Sequence, residues 1–124
     1  MGVWGPGNFD DDTAGEYVWG ITERLIKETN DAMRNPRQLE PDEYWGVIVP
    51  CNVELLSLLA SKRWGASVPK PSVVEQWKET YMTVWEGYID KLILPEHPEH
   101  KALRREVLLR TFDELLAYAR FHHQ

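Results

Sequence analysis

Residues 47–60 read VIVPCNVELLSLLA, and this stretch decides the fold. Tyr44, Val47, Cys51, Leu55 and Leu58 recur at helical spacing, which predicts an amphipathic helix over about 41–64 with that stripe against the core. Gly65 is the expected C-terminal stop. So apolar a run marks the most buried helix of the chain. Pro50 falls inside it. A proline there removes one backbone hydrogen bond and crowds the preceding turn, so a kink or short break is expected. The run stops short of the ~20 residues that a membrane span needs.

Upstream, Ala14, Val18, Ile21, Leu25, Thr29 and Ala32 follow one another at spacings of three and four. They predict a helix over about 13–35, ended by Asn35-Pro36. It should begin at Asp11, Asp12 or Thr13, where Thr13 and Glu16 have capping-box spacing. Downstream, Ser72 and Glu75 repeat that spacing ahead of Val74, Trp77, Tyr81, Val84, Tyr88 and Leu92. That predicts a third helix over about 72–94, stopped by Pro95. Pro98 then opens a fourth, running to about 122 with Leu108, Phe112, Leu115 and Ala119 on its inner face. Residues 1–12, MGVWGPGNFDDD, are not helical, because Gly2, Gly5, Gly7 and Pro6 enforce turns. Trp4 and Phe9 should anchor this strap to the bundle. The expectation is one all-α domain over residues 1–124. It is a four-helix up-down bundle with an N-terminal strap and a Pro-kinked second helix, with neighbours antiparallel.

The 124 residues suffice for one core without staples. Six tryptophans, at 4, 19, 45, 64, 77 and 85, supply aromatic area that core packing would use. A net charge of −6 repels phosphate backbones, so no nucleic-acid partner is expected. Cys51 is the one cysteine, which rules out an intramolecular disulfide. With no basic n-region and no membrane span, the reading is a cytoplasmic protein with no membrane partner.

Several groups are candidates for chemistry. Asp10, Asp11 and Asp12 can hold a divalent cation, or can cap the first helix and ride its dipole. The capping role is the expected one. His97 and His100 are spaced to share a metal, but the sequence points to no third or fourth ligand. His122 and His123 fall in a frayed terminus. Cys51 has no neighbouring base, and Ser57 and Ser61 lack the context of a nucleophile elbow. GVWGPG lacks the Lys-Ser/Thr of a phosphate loop. Glu54 interrupts the apolar run. If buried, it calls for a partner among Arg24, Arg63, Arg104, Arg105 and Arg110. No cofactor is indicated.

The opening W-G-P-G-N-F-D-D-D-T-A, residues 4–14, resembles the signature of a bacterial family known as domain of unknown function 4259. Trp4, Gly5, Gly7, Phe9, Asp11, Asp12 and Ala14 carry the likeness. A second helix with an acid at Glu54, a Pro-containing loop before the third helix, and the T-F-D-E-L-L run at 111–116 are similar too. The sequence departs from the pattern at Pro50-Cys51-Asn52. The resemblance implies no activity of its own. By analogy of size and class it suggests an accessory or immunity-type binding protein. The expected function is a non-enzymatic module with another protein as partner, homo-oligomerisation being open. The alternative is a metal-binding protein or metal-dependent hydrolase built on the Asp cluster.

Overall fold

The Asp11 carboxylate begins the first helix. It accepts hydrogen bonds from the backbone N–H groups of Thr13 (2.7 Å) and Ala14 (3.3 Å), two of the donors that a helix start leaves unpaired. The expected Thr13–Glu16 box does not form, because Asp11 already occupies the cap and both residues sit inside the helix. The computed structural model describes residues 2–91 and 98–124. It contains α1 (Asp12–Met33), α2 (Tyr44–Ser61), α3 (Pro71–Tyr88) and α4 (Pro98–His122), with short 3-10 turns at Pro36–Leu39 and Ile89–Lys91. The fold is an all-α bundle. Leu92, Pro95 and His97, singled out from the sequence, lie outside the described residues.

Helix ends differ from expectation for local reasons. α2 spans 44–61 rather than 41–64. It ends at the cap residue Lys62, followed by Arg63 in a left-handed backbone with φ 56°, two residues before Gly65. Gly65 has its own constraint, a φ of 103° with the carbonyl oxygen of Gly15 2.8 Å from where a Cβ would stand. α3 begins with Pro71 at its first position and Lys70 as the cap residue, which places Ser72 inside the helix and leaves no Ser72–Glu75 box.

Directions alternate along the chain, but the packing order is α1–α2–α4–α3. α3 and α4 run antiparallel, tied at Glu75–Arg120, Lys78–Asp113 and Glu86–Arg105. α1 and α2 run antiparallel as well, with Asn52 reaching Thr29 and Gly15 beside Gly65. α2 and α4 are parallel neighbours: Val47 shares a cleft with Arg104, and Ala60 shares a groove with Tyr118. α2 and α3, although consecutive, therefore sit across the bundle from each other.

Tyr81 of α3 spans that diagonal. Pro50 has no N–H, so the carbonyl of Gly46 four residues earlier loses its helical partner. The Tyr81 hydroxyl donates to that carbonyl at 2.6 Å in the buried core. α2 runs as one helix from Tyr44 to Ser61 with Pro50 inside it, so the short break expected there is absent. Gly46 is required for a second reason: a Cβ there would strike the carbonyl of Glu40, where the 3-10 turn passes. Around this point pack Val49, Val53, Leu56, Trp77, Trp85, Leu108, Phe112 and Leu115, all buried.

α2 turns the opposite face inward from the one its apolar spacing suggests. The buried residues are Gly46, Val49, Pro50, Asn52, Val53, Leu56 and Ser57. Tyr44, Val47, Cys51, Leu55 and Leu58 point to solvent. Pro50 and Gly46 dictate this: the freed carbonyl must reach Tyr81, and the side lacking a Cβ must meet the 3-10 turn. The stripes expected on α1, α3 and α4 do face the core, with Val18, Leu25, Thr29, Ala32, Val74, Trp77, Tyr81 and all four named α4 residues buried.

Burial raises the Tyr81 pKa to about 12, with Cys51 adding to the shift and Arg104 opposing it. The unfolded chain ionises this phenol near 10, whereas the folded chain holds the proton to about 12. The stability this neutral group supports is present below pH 10 and is lost as pH rises through that window. Tyr81→Phe should cost about 1–3 kcal/mol at neutral pH, since it orphans a buried carbonyl. Urea unfolding should also show a shallower loss of stability between pH 10 and 12 for the variant than for the wild type.

Candidate functional site

Two surface regions hold what the sequence singles out: the N-terminal strap and the outer face of α2. The strap folds back on itself. Val3 and Asp11 form an antiparallel bridge, the Trp4 N–H donates to the Asp10 carbonyl (3.0 Å), and the Asp12 N–H donates to the Gly2 carbonyl (2.9 Å). Asp10 closes the tip by accepting from the Gly7 N–H at 2.9 Å. A Cβ on Gly5 would press on the same carboxylate.

Only one of the two expected anchors works as an anchor. Phe9 stacks on Trp64, ring centroids 4.0 Å apart and 13° from parallel. Trp4 remains 62% exposed, with its indole N–H on Asp12 Oδ1 at 3.3 Å. The hairpin aims Phe9 inward at the end of α2 and leaves Trp4 on the outside.

The three aspartates of the triplet are therefore each engaged locally, Asp10 at the loop tip, Asp11 at the helix cap and Asp12 on the Trp4 indole. Among the described residues, the three acids whose ligating atoms do gather are elsewhere. Glu40, Asp42 and Glu43 place theirs within 4.8 Å of one another on the surface before α2. His100 is exposed at the rim of a 250 Å³ cleft that includes Val47, Tyr81, Trp85 and Arg104. His123 is not free: its ring Nε2–H donates to the Val68 carbonyl at 2.7 Å and pins the end of α4. A 530 Å³ groove beside it is lined by Ala60, Arg63, Tyr118, Phe121 and His122.

Glu54 is exposed, so the buried ion pair expected for it is not needed. Asn52 is a buried polar residue on the inward face of α2, and its amide donates to Glu28 and to Thr29 Oγ1, both at 3.4 Å. Sequence reasoning passed over it. The signal was in the -PCN- interruption, where Pro50 and Asn52 face inward and Cys51 faces out. The Ser57 hydroxyl is buried on the same face without a hydrogen-bond partner.

The outer face of α2 is the unusual surface. Tyr44 is 67% exposed, Val47 52%, Leu55 44% and Leu58 51%, with exposed Cys51 in their midst. Glu54 is the one charge between Tyr44 and Ser61. Among the described residues, α2 is also the helix that is long and apolar enough to cross a membrane by length and composition. The α3–α4 side is the opposite in character, laced by Glu75–Arg120, Lys78–Asp113, Glu86–Arg105 and Asp90–Lys101 pairs. The tryptophans divide: Trp77 and Trp85 are buried, Trp45 and Trp64 half-buried, Trp4 and Trp19 exposed.

Comparison with protein-family models, curated proteins and solved structures finds no match to the chain.

The two strap aromatics should separate in a stability assay. Phe9→Ala loses the stack on Trp64 and should cost about 1–2 kcal/mol, whereas Trp4→Ala should stay within about 0.5 kcal/mol. Chemical denaturation of both variants against wild type checks this.

Proposed function

We propose that this chain is a non-enzymatic, cytoplasmic protein-binding module, regulatory or immunity-like in character, that binds through the outer face of α2. The exposed Tyr44–Val47–Cys51–Leu55–Leu58 stripe carries the reading. Contiguous apolar surface of this kind costs solubility and marks interaction sites when it persists on a folded domain. Its make-up, an aromatic and aliphatic centre almost free of charge, is that of an interface core. The net charge of −6 weighs against nucleic acid as the partner. The likeness of residues 4–14 to domain of unknown function 4259 fits the same class of small binding proteins, and we propose that kinship on those residues.

The experiment compares immobilised wild type with a Leu55→Glu/Leu58→Glu double variant in lysate of the source cells. Both substitutions are on the surface, so the variant should keep its fold and unfold within about 0.5 kcal/mol of wild type. A stoichiometric protein held by wild type should fall at least tenfold on the variant. Equal recovery on both, or no specific recovery by wild type, counts against the reading.

A further inference from the structure

The 530 Å³ groove at the C-terminal ends of α2 and α4 has a definite chemistry. Its hollow comes from small residues: Ala60, Gly65 and Ala66 stand where larger side chains would fill it. Tyr118 and Phe121 of α4 form an aromatic wall, and Phe121 is left 68% exposed. The loop side is held in place. His123 grips the Val68 carbonyl, and His122 packs edge-on against His123 with ring centroids 5.1 Å apart. A concave, mainly apolar site of this size lies in the range that small organic ligands occupy.

Charge selects the ligand. No Asp or Glu lines the groove, in a chain with 20 acidic residues, and its permanent cation is Arg63. Among the described residues the Arg63 guanidinium makes no ion pair and the Tyr118 hydroxyl no hydrogen bond. The helix ends do not cancel that cation, because their last carbonyls are spent. Leu58 accepts from Ser61 Oγ, Leu59 from the Lys62 N–H, Ala60 from the Arg63 N–H and Ala119 from the His123 N–H. Arg63 is also strained: its φ of 56° suits glycine, which carries no Cβ, better than any side chain. The chain does use glycine at Gly65, its other left-handed position among the described residues. Folding alone favours glycine at 63 as well, so the arginine answers to something other than the fold.

We propose that this groove binds a small apolar carboxylate. The hydrocarbon tail lies in the hollow against Ala60, Ala66 and the aromatic wall of α4. The carboxylate meets the Arg63 guanidinium in a charge-assisted hydrogen bond, and the Tyr118 hydroxyl offers a second donor from α4. The positive charge without an acid beside it names the head group, and the methyl and aromatic lining names the tail. The site is separate from the outer face of α2 and does not depend on what that face binds.

Calorimetric titration of the full chain with sodium octanoate tests this, with octanol and octyltrimethylammonium as controls for tail and charge. Octanoate should bind wild type with a Kd on the order of 0.1 mM, ordinary for about ten non-hydrogen atoms in an apolar site. Octanol should bind about fivefold more weakly or worse, although it is the more apolar molecule, and octyltrimethylammonium should not bind. Arg63→Gln keeps the side-chain stem and should lose about fivefold for octanoate, down to the level of octanol. Ala66→Phe fills the hollow and should abolish binding of both. Arg63→Gly should lose the same affinity as Arg63→Gln while its Tm rises by about 2–4 °C, because the backbone strain is relieved. Leu55→Glu, on the outer face of α2, should bind octanoate as wild type does. No octanoate binding at about 5 mM overturns the proposal, as does equal or tighter binding of either control. Indifference to Arg63→Gln overturns it too, and so does an Arg63→Gly chain that melts below wild type, which makes the arginine a folding element. Loss of octanoate binding in Leu55→Glu overturns it by moving the ligand to the outer face of α2.

Discussion

The Gly46 carbonyl has no partner within its own helix, and the bundle is arranged to give it one. The cause is a single covalent fact, the missing N–H of Pro50. A buried carbonyl left unpaired costs about 1–3 kcal/mol, a large fraction of a small domain's stability. The Tyr81 hydroxyl meets it at 2.6 Å from across the bundle. That bond joins α2 and α3, which are not packing neighbours, and it fixes the rotation of α2 about its axis. Gly46 adds a steric condition to the same turn of helix, since only a residue without a side chain lets the Leu39–Glu40 backbone pass so close. Rotate α2 by half a turn and both conditions fail.

The exposed apolar face follows from that rotation. With Val49, Val53 and Leu56 inward and Trp45, Ile48, Leu59 and Ala60 half-buried at the flanks, Tyr44, Val47, Leu55 and Leu58 are left facing solvent. No polar substitution relieves this along Tyr44, Val47, Cys51, Leu55 and Leu58. On the α3–α4 side, by contrast, ion pairs cover the seam at four places. Such pairs add little stability at exposed positions, but they keep that side hydrated. The molecule thus has one sticky face and one wet one.

Much of the architecture is legible in the sequence, because three helices carry one apolar stripe each. In α1, α3 and α4 the spacing of apolar residues identifies the inward face outright: Val18, Leu25, Trp77, Tyr81, Leu108 and Phe112 are all buried. α2 defeats the same reasoning because it is apolar on both sides. Periodicity cannot choose between Val47–Cys51–Leu55–Leu58 and Val49–Val53–Leu56 when both repeat at helical spacing. The deciding residues, Gly46, Pro50 and Asn52, look like interruptions, and their meaning depends on a tyrosine some thirty residues away. The strap divides the same way. Asp11 as a helix cap is local and readable. That Phe9 finds Trp64 while Trp4 stays outside depends on a hairpin closed by Asp10 and on where the end of α2 lies.

Both the fold of α2 and its proposed contact depend on the outward placement of the Cys51 face, and the thiol reports it directly. The measurement is the rate of Cys51 modification by a thiol-reactive disulfide reagent, at low protein concentration, in native buffer and in denaturant. An outward Cys51 reacts in the native state within about tenfold of its rate in the unfolded chain. A thiol protected by a thousandfold or more, reacting only as the chain unfolds, places Cys51 in the core and contradicts the outward face.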